Sequence, residues 1–174
     1  MQARSIQFAI GIALLACTIL ATRVYEVDAP LWRLLQGGNL IDSATLHLGG
    51  EFAESNLGSQ RDPDGSITLR MIAQQYDFVP SCVVVPVQVS VHLRITSADA
   101  VHVLTIANTN VAVKAVPGKI SDSFFELDHT GEFDLPCREF CGAGHYAMRA
   151  HLVVVPQSQF PSLGPAERAV CGAK

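Results

Sequence analysis

The run Val83-Val84-Val85-Pro86-Val87-Gln88-Val89-Ser90-Val91-His92-Leu93-Arg94-Ile95 decides the fold class. Within it Val87, Val89, Val91, Leu93 and Ile95 share one face, while Gln88, Ser90, His92 and Arg94 share the other. A period of two marks a half-buried strand, because successive side chains leave opposite faces of the chain. Residues 67–72 alternate in the same way, and residues 101–106, 111–115, 123–127, 132–135 and 150–155 are further β-rich pieces. Turn residues separate them at Asn108-Thr109-Asn110, Pro117-Gly118 and Thr130-Gly131. Short strands at this spacing predict an all-β domain, an antiparallel sandwich or barrel.

Outside that block the composition changes. Residues 5–22 carry no charge and are flanked by Arg4 and Arg23. Such a helix would measure roughly 27 Å, enough for a bilayer core. A cleaved signal is the rival reading, and Leu14-Leu15-Ala16-Cys17 has the look of a lipidation site with a poor second position. The apolar run continues past Cys17 to Ala21, which favours a retained single transmembrane helix. The expected organisation is an anchor over residues 1–23, a Gly-rich polar connector over 24–66, a β domain over 67–156 and a loose tail over 157–174. Arg61-Asp62-Pro63-Asp64-Gly65 is the turn that announces the domain.

Apolar residues make up 49% of the 174 positions, so a sizeable core can form, and the net charge of -4 argues against nucleic acid. Five cysteines are present. Cys82 and Cys171 can form a disulfide, which sequence leaves open.

Chemistry is concentrated in residues 137–148, Cys-Arg-Glu-Phe-Cys-Gly-Ala-Gly-His-Tyr-Ala-Met. The spacing C-x-x-x-C-x-x-x-H-x-x-M puts two thiols, an imidazole and a thioether in one short loop. Soft sulfur with imidazole suits copper or zinc, and the methionine favours copper, since zinc seldom recruits thioether. One mononuclear blue-copper centre needs a single cysteine and two histidines. Here two cysteines can each bridge a pair of copper ions, and the second imidazole must come from elsewhere. His102, in Asp99-Ala100-Val101-His102, is the candidate. A Cys137–Cys141 disulfide, or a zinc site using Cys, Cys and His, would explain Met148 and His102 less well.

The loop and the upstream Asp-x-x-His resemble the dinuclear copper (CuA) domain of cytochrome c oxidase subunit II. Flanking phrases occur in that family's order: residues 52–58 (Phe-Ala-Glu-Ser-Asn-Leu-Gly), Tyr76-Asp77-Phe78-Val79-Pro80 and Val116-Pro117-Gly118. The resemblance implies a cupredoxin-like Greek-key sandwich or barrel, held on the outer, periplasmic side of the cell membrane by one N-terminal helix. It implies Cys137 and Cys141 as bridging thiolates, with His102 and His145 each on one copper. Met148 would be the axial ligand of one copper and the Glu139 backbone carbonyl that of the other. Tyr76 and Phe78 fall in the family's aromatic segment and are the candidates for the electron inlet.

The implied partners are a cytochrome c donor and a multi-span haem-copper catalytic subunit I, where oxygen is reduced. Alternatives are the CuA subunit of a nitric oxide reductase, or a membrane-tethered copper carrier or delivery protein. No acid–base or nucleophile constellation appears, so the chain alone is expected to relay electrons. Asp122, Glu126, Asp128, Glu132 and Asp134 form an acidic region that can steer a basic cytochrome. Val103-Leu104 depart from the family, whose members usually carry a small residue followed by an aromatic after the histidine.

Overall fold

The computed structural model describes residues 40–160. Ten strands form in chain order: β1 Gly58–Arg61, β2 Ile67–Gln74, β3 Asp77–Val79, β4 Cys82–Pro86, β5 Val91–Ser97, β6 His102–Thr105, β7 Ala112–Ala115, β8 Ser121–Phe125, β9 Gly131–Pro136 and β10 Arg149–Val155. One sheet runs β1-β2-β5-β8, with β3 also paired to β2; a second runs β4-β10-β9, and β6 and β7 form a two-stranded ribbon. The domain is all-β and cupredoxin-like, as expected.

Two of the pairings are parallel, β2 with β5 and β4 with β10, so the expectation of a purely antiparallel sandwich is corrected. Parallel neighbours need a crossover connection, and here the chain supplies it by passing from β2 through β3 to β4 in the other sheet before returning as β5. The long run at 83–95 is therefore two strands rather than one. Pro86 closes β4, Gln88 takes a left-handed φ of 53°, and the turn is tied by Val87 N–H to the Val155 carbonyl (2.9 Å) and Gln88 N–H to the Leu127 carbonyl (2.9 Å). Downstream of the turn the alternation holds, with Val91, Leu93 and Ile95 all buried.

The main core lies between the sheets and includes Ile67, Leu69, Met71 and Ala73 of β2, Val83 and Val85 of β4, and Leu152 and Val154 of β10. A smaller cluster of Leu46, Phe52, Ile72 and Ile120 covers the other face of β2. Ordered structure consequently reaches back into residues expected to be connector: two short 3-10 turns at Gly50–Phe52 and Glu54–Asn56, then β1 paired to β2. Burial of Leu46 and Phe52 is the physical reason, because a polar-looking stretch that contributes two fully enclosed side chains folds with the domain. Ser59 on β1 also donates to the Val84 carbonyl of β4 at 2.5 Å, joining the two sheets. The Arg61–Ser66 turn closes as expected, with Gly65 at φ 92°.

The expected anchor helix and C-terminal tail lie outside the described residues. Among the described residues no helix is long and apolar enough to cross a membrane. Cys82 is disulfide-bonded, and a pairing with Cys171 falls outside the described residues.

Candidate metal centre

β9 and β10 are antiparallel neighbours, and the loop between them carries the sulfur donors. Its mouth is pinned by Cys137 N–H to the Met148 carbonyl at 3.1 Å. β6 lies alongside: Leu104 bridges to Cys137, and Arg138 N–H donates to the Val103 carbonyl at 2.8 Å. That contact brings His102, the first residue of β6, to Cys137 across 35 positions of sequence. Leu104 is fully buried beneath the site, so the departure from the family at Val103-Leu104 leaves the packing there closed.

Four donors are buried: His102 (0% exposed), Met148 (1%), Cys137 (5%) and Cys141 (7%). His145 sits half-buried in a 3-10 turn spanning His145–Ala147. Cys137 Sγ stands 3.9 Å from His102 Nδ1 and 3.4 Å from the Glu139 carbonyl oxygen. Cys141 Sγ stands 3.8 Å from His145 Nδ1 and 3.7 Å from Met148 Sδ. Each thiol thus faces one imidazole nitrogen and one weaker donor. Two atoms bound to one metal at about 2.0–2.3 Å with a tetrahedral angle stand roughly 3.5 Å apart, so these spacings suit donors around metal. The ligand atoms of His102, Cys137 and Cys141 all lie within 4.8 Å of one another, and both cysteines are free thiols. A donor set of thiol, imidazole and thioether fits a soft transition metal such as copper.

Asp99 orients the first histidine. Its Oδ1 accepts from His102 Nε2 at 2.9 Å, which leaves the Nδ1 lone pair facing Cys137. Burial pushes the Asp99 carboxyl up, but hydrogen bonds from His102 and from the Gln75 and Ala100 amides hold it below its ordinary value.

Burial, and then the neighbouring Cys137, push the Cys141 thiol up to about 11. The metal-free fold therefore holds this proton more tightly than the unfolded chain does. Its contribution to stability is complete below pH 9.0, the ordinary thiol value, and is lost as pH rises toward 11. Metal must displace the proton, so cadmium uptake by the metal-free domain should strengthen about tenfold per pH unit for each proton released. Thiolate-to-metal charge-transfer absorbance between pH 6 and 8 measures this slope; a pH-independent affinity would contradict the protonated thiol.

The structure separates the two inlet candidates. Phe78 is fully enclosed in the main core. Tyr76 is 40% exposed, and its ring lies over Gly142 and Gly144 of the loop, where a Cβ on either glycine would overlap it. His92 and His151 are away from the donors, paired with Asp122 (2.7 Å) and Asp134 (3.2 Å). Sequence reasoning missed Gln75, whose side-chain amide donates to the Cys141 carbonyl. No local pattern reveals it, because the contact spans 66 positions and carries no ligand chemistry.

The fold and donors define a cupredoxin-like domain with a buried thiol–imidazole–thioether cluster. Residues 67–155 match the family model described as cytochrome c oxidase subunit II, periplasmic domain, and the chain belongs to that family. Cytochrome c oxidase subunit 2 of Thermus thermophilus is 26% identical over 114 residues, covering 66% of this chain and 84% of the relative. The Branchiostoma floridae protein of the same name is 34% identical over 82 residues, covering 47% of this chain and 36% of the relative. The periplasmic domain of subunit II of cytochrome oxidase from Bradyrhizobium japonicum superposes with a TM-score of 0.51 at 23% identity, covering 55% of this chain and 88% of that one. A chain of a heme-copper terminal oxidase dimer gives the same score and identity over 84% of this chain and 99% of its own.

Proposed function

We propose that this chain is the electron-receiving subunit of a respiratory haem-copper oxidase. Its site would be a dinuclear copper (CuA) centre that takes electrons from a cytochrome c and relays them to haem in the catalytic subunit I, where oxygen becomes water. The observation that carries this reading is the doubled arrangement at the site: two buried free thiols, each with its own imidazole nitrogen and its own weak donor. A mononuclear site would need only half of it.

In this reading Cys137, Cys141, His102, His145, Met148 and the Glu139 carbonyl would hold the copper. Copper supplies a one-electron couple shared between two ions. The chain's part is to hold the donors still. Two thiols on one loop, whose ends are tied by the Cys137 N–H to the Met148 carbonyl, give soft ligands, Asp99 fixes the tautomer of His102, and burial keeps water from the sulfur atoms. A site whose ligands are held in place by the surrounding fold changes geometry little between redox states, which favours fast transfer.

Residues 1–23 would anchor the chain with the copper domain on the periplasmic side. Glu126, Asp128 and Glu132 would steer a basic cytochrome. Asp122 contributes less, since Arg94 Nη1 pairs with it at 2.8 Å and His92 Nε2 lies at 2.7 Å, and Asp134 is paired with His151.

The test is metal analysis and electron paramagnetic resonance on the copper-loaded full chain. About two coppers per chain and a seven-line hyperfine pattern, from one electron shared by two nuclei, are expected. One copper with a four-line pattern, or bound zinc in its place, would sink the dinuclear reading.

A further inference from the structure

The turn between β2 and β3, at Gln75 and Tyr76, touches the site at three places although it donates no ligand. Gln75 N–H donates to Asp99 Oδ2 at 2.6 Å, and the other oxygen of the same carboxylate accepts from His102 Nε2. The Gln75 side-chain amide reaches the opposite way, to the Cys141 carbonyl. The Tyr76 ring fills the concave face of the loop over Gly142 and Gly144. A continuous path of hydrogen bonds therefore runs from His102 through Asp99 and Gln75 to Cys141. It joins a donor on one element to a donor on another, outside the metal itself.

We infer that Gln75 is a positioning residue: it clamps the ligand loop at Cys141 against the Asp99–His102 pair and so sets the spacing of the two halves of the site. This rests on the proposed copper-binding reading for its consequence, but the clamp itself exists in the metal-free chain. The physical ground is that a loop of this kind, with Gly142 at φ 134° and Gly144 beside it, has little intrinsic preference for one shape. Something outside the loop must select the shape. In the described structure the side-chain hydrogen bond that reaches the Cys141 backbone comes from Gln75. A glutamine is suited to this: its amide donor is neutral, so it fixes the carbonyl without adding charge beside the sulfurs.

The variant Gln75→Met keeps length and apolar bulk and removes the donor. Gln75 is exposed at a turn, so the fold should survive the change. In the metal-free full chain, alkylation of Cys141, followed by peptide mass spectrometry, should speed up while Cys137 changes little, because the backbone at Cys141 loses its tether to Gln75. Copper-loaded variant should still bind the wild-type amount of metal, with altered hyperfine splitting and roughly tenfold faster loss of copper to a chelator. Gln75→Asn, which keeps a neutral amide donor one methylene shorter, should return Cys141 alkylation part of the way toward wild type. Equal speeding of both cysteines with a fall in melting temperature, or no change in either alkylation or spectrum, would overturn the clamp. Wild-type chain that binds no copper would overturn the copper reading while leaving the alkylation result to judge the clamp.

Discussion

Cys141→Ser is expected to lower bound copper from about two ions per chain to one or fewer and to abolish the seven-line spectrum. Cys141 is the donor that faces both His145 Nδ1 and Met148 Sδ, so its loss removes the thiol from that side of the site. A serine hydroxyl is a hard, weakly acidic oxygen and does not replace a bridging thiolate. Losing an outer-shell partner of a metal ligand costs roughly 10- to 100-fold in affinity or activity, and losing the ligand itself should exceed that. Electron uptake from reduced cytochrome c by the assembled oxidase should fall accordingly. The metal-free fold should change little, because the residue sits at the edge of the core and serine is nearly isosteric. A Cys141→Ser chain that kept two coppers and a shared electron would remove Cys141 from the bridging role.

Phe78→Ala should cost about 3–5 kcal/mol of stability. Phe78 is fully enclosed in the main core, and the surrounding strands cannot collapse into the space it leaves. For a domain of this size the melting temperature should drop by roughly 10–20 °C in calorimetry. The copper spectrum of the folded fraction should stay as in the wild type, since Phe78 offers no donor and is not among the residues facing the sulfurs. This outcome would assign the residue to packing. Unchanged stability combined with slowed electron uptake would instead support an inlet role for Phe78. Tyr76 differs because it is both exposed and in contact with the ligand loop.

Much of the candidate site is legible as text. The donors at 137, 141, 145 and 148 lie within one loop, and local spacing suffices to suggest a shared metal. His102 is suggested in the text by its place upstream of the loop, but its approach to Cys137 depends on β6 lying beside the end of β9. Gln75 is not legible at all. An amide that holds a backbone carbonyl leaves no compositional trace, and any residue could have supplied that carbonyl.

Taken as text, the chain reads as a β domain with a loop whose residues offer soft donors suited to metal. Those properties follow from side-chain chemistry and from the two-residue period, both of which are local. Where the long valine run breaks, which strands pair in parallel and the inclusion of residues 46–61 in the folded domain follow from packing instead. These depend on burial between elements distant in sequence: Phe52 against Ile72, and β2 and β5 brought side by side only after the chain has visited the other sheet. The orientation of the imidazole and the shape of the ligand loop belong to the same class, since both rest on the contact between Gln75, Asp99 and the glycines beneath Tyr76.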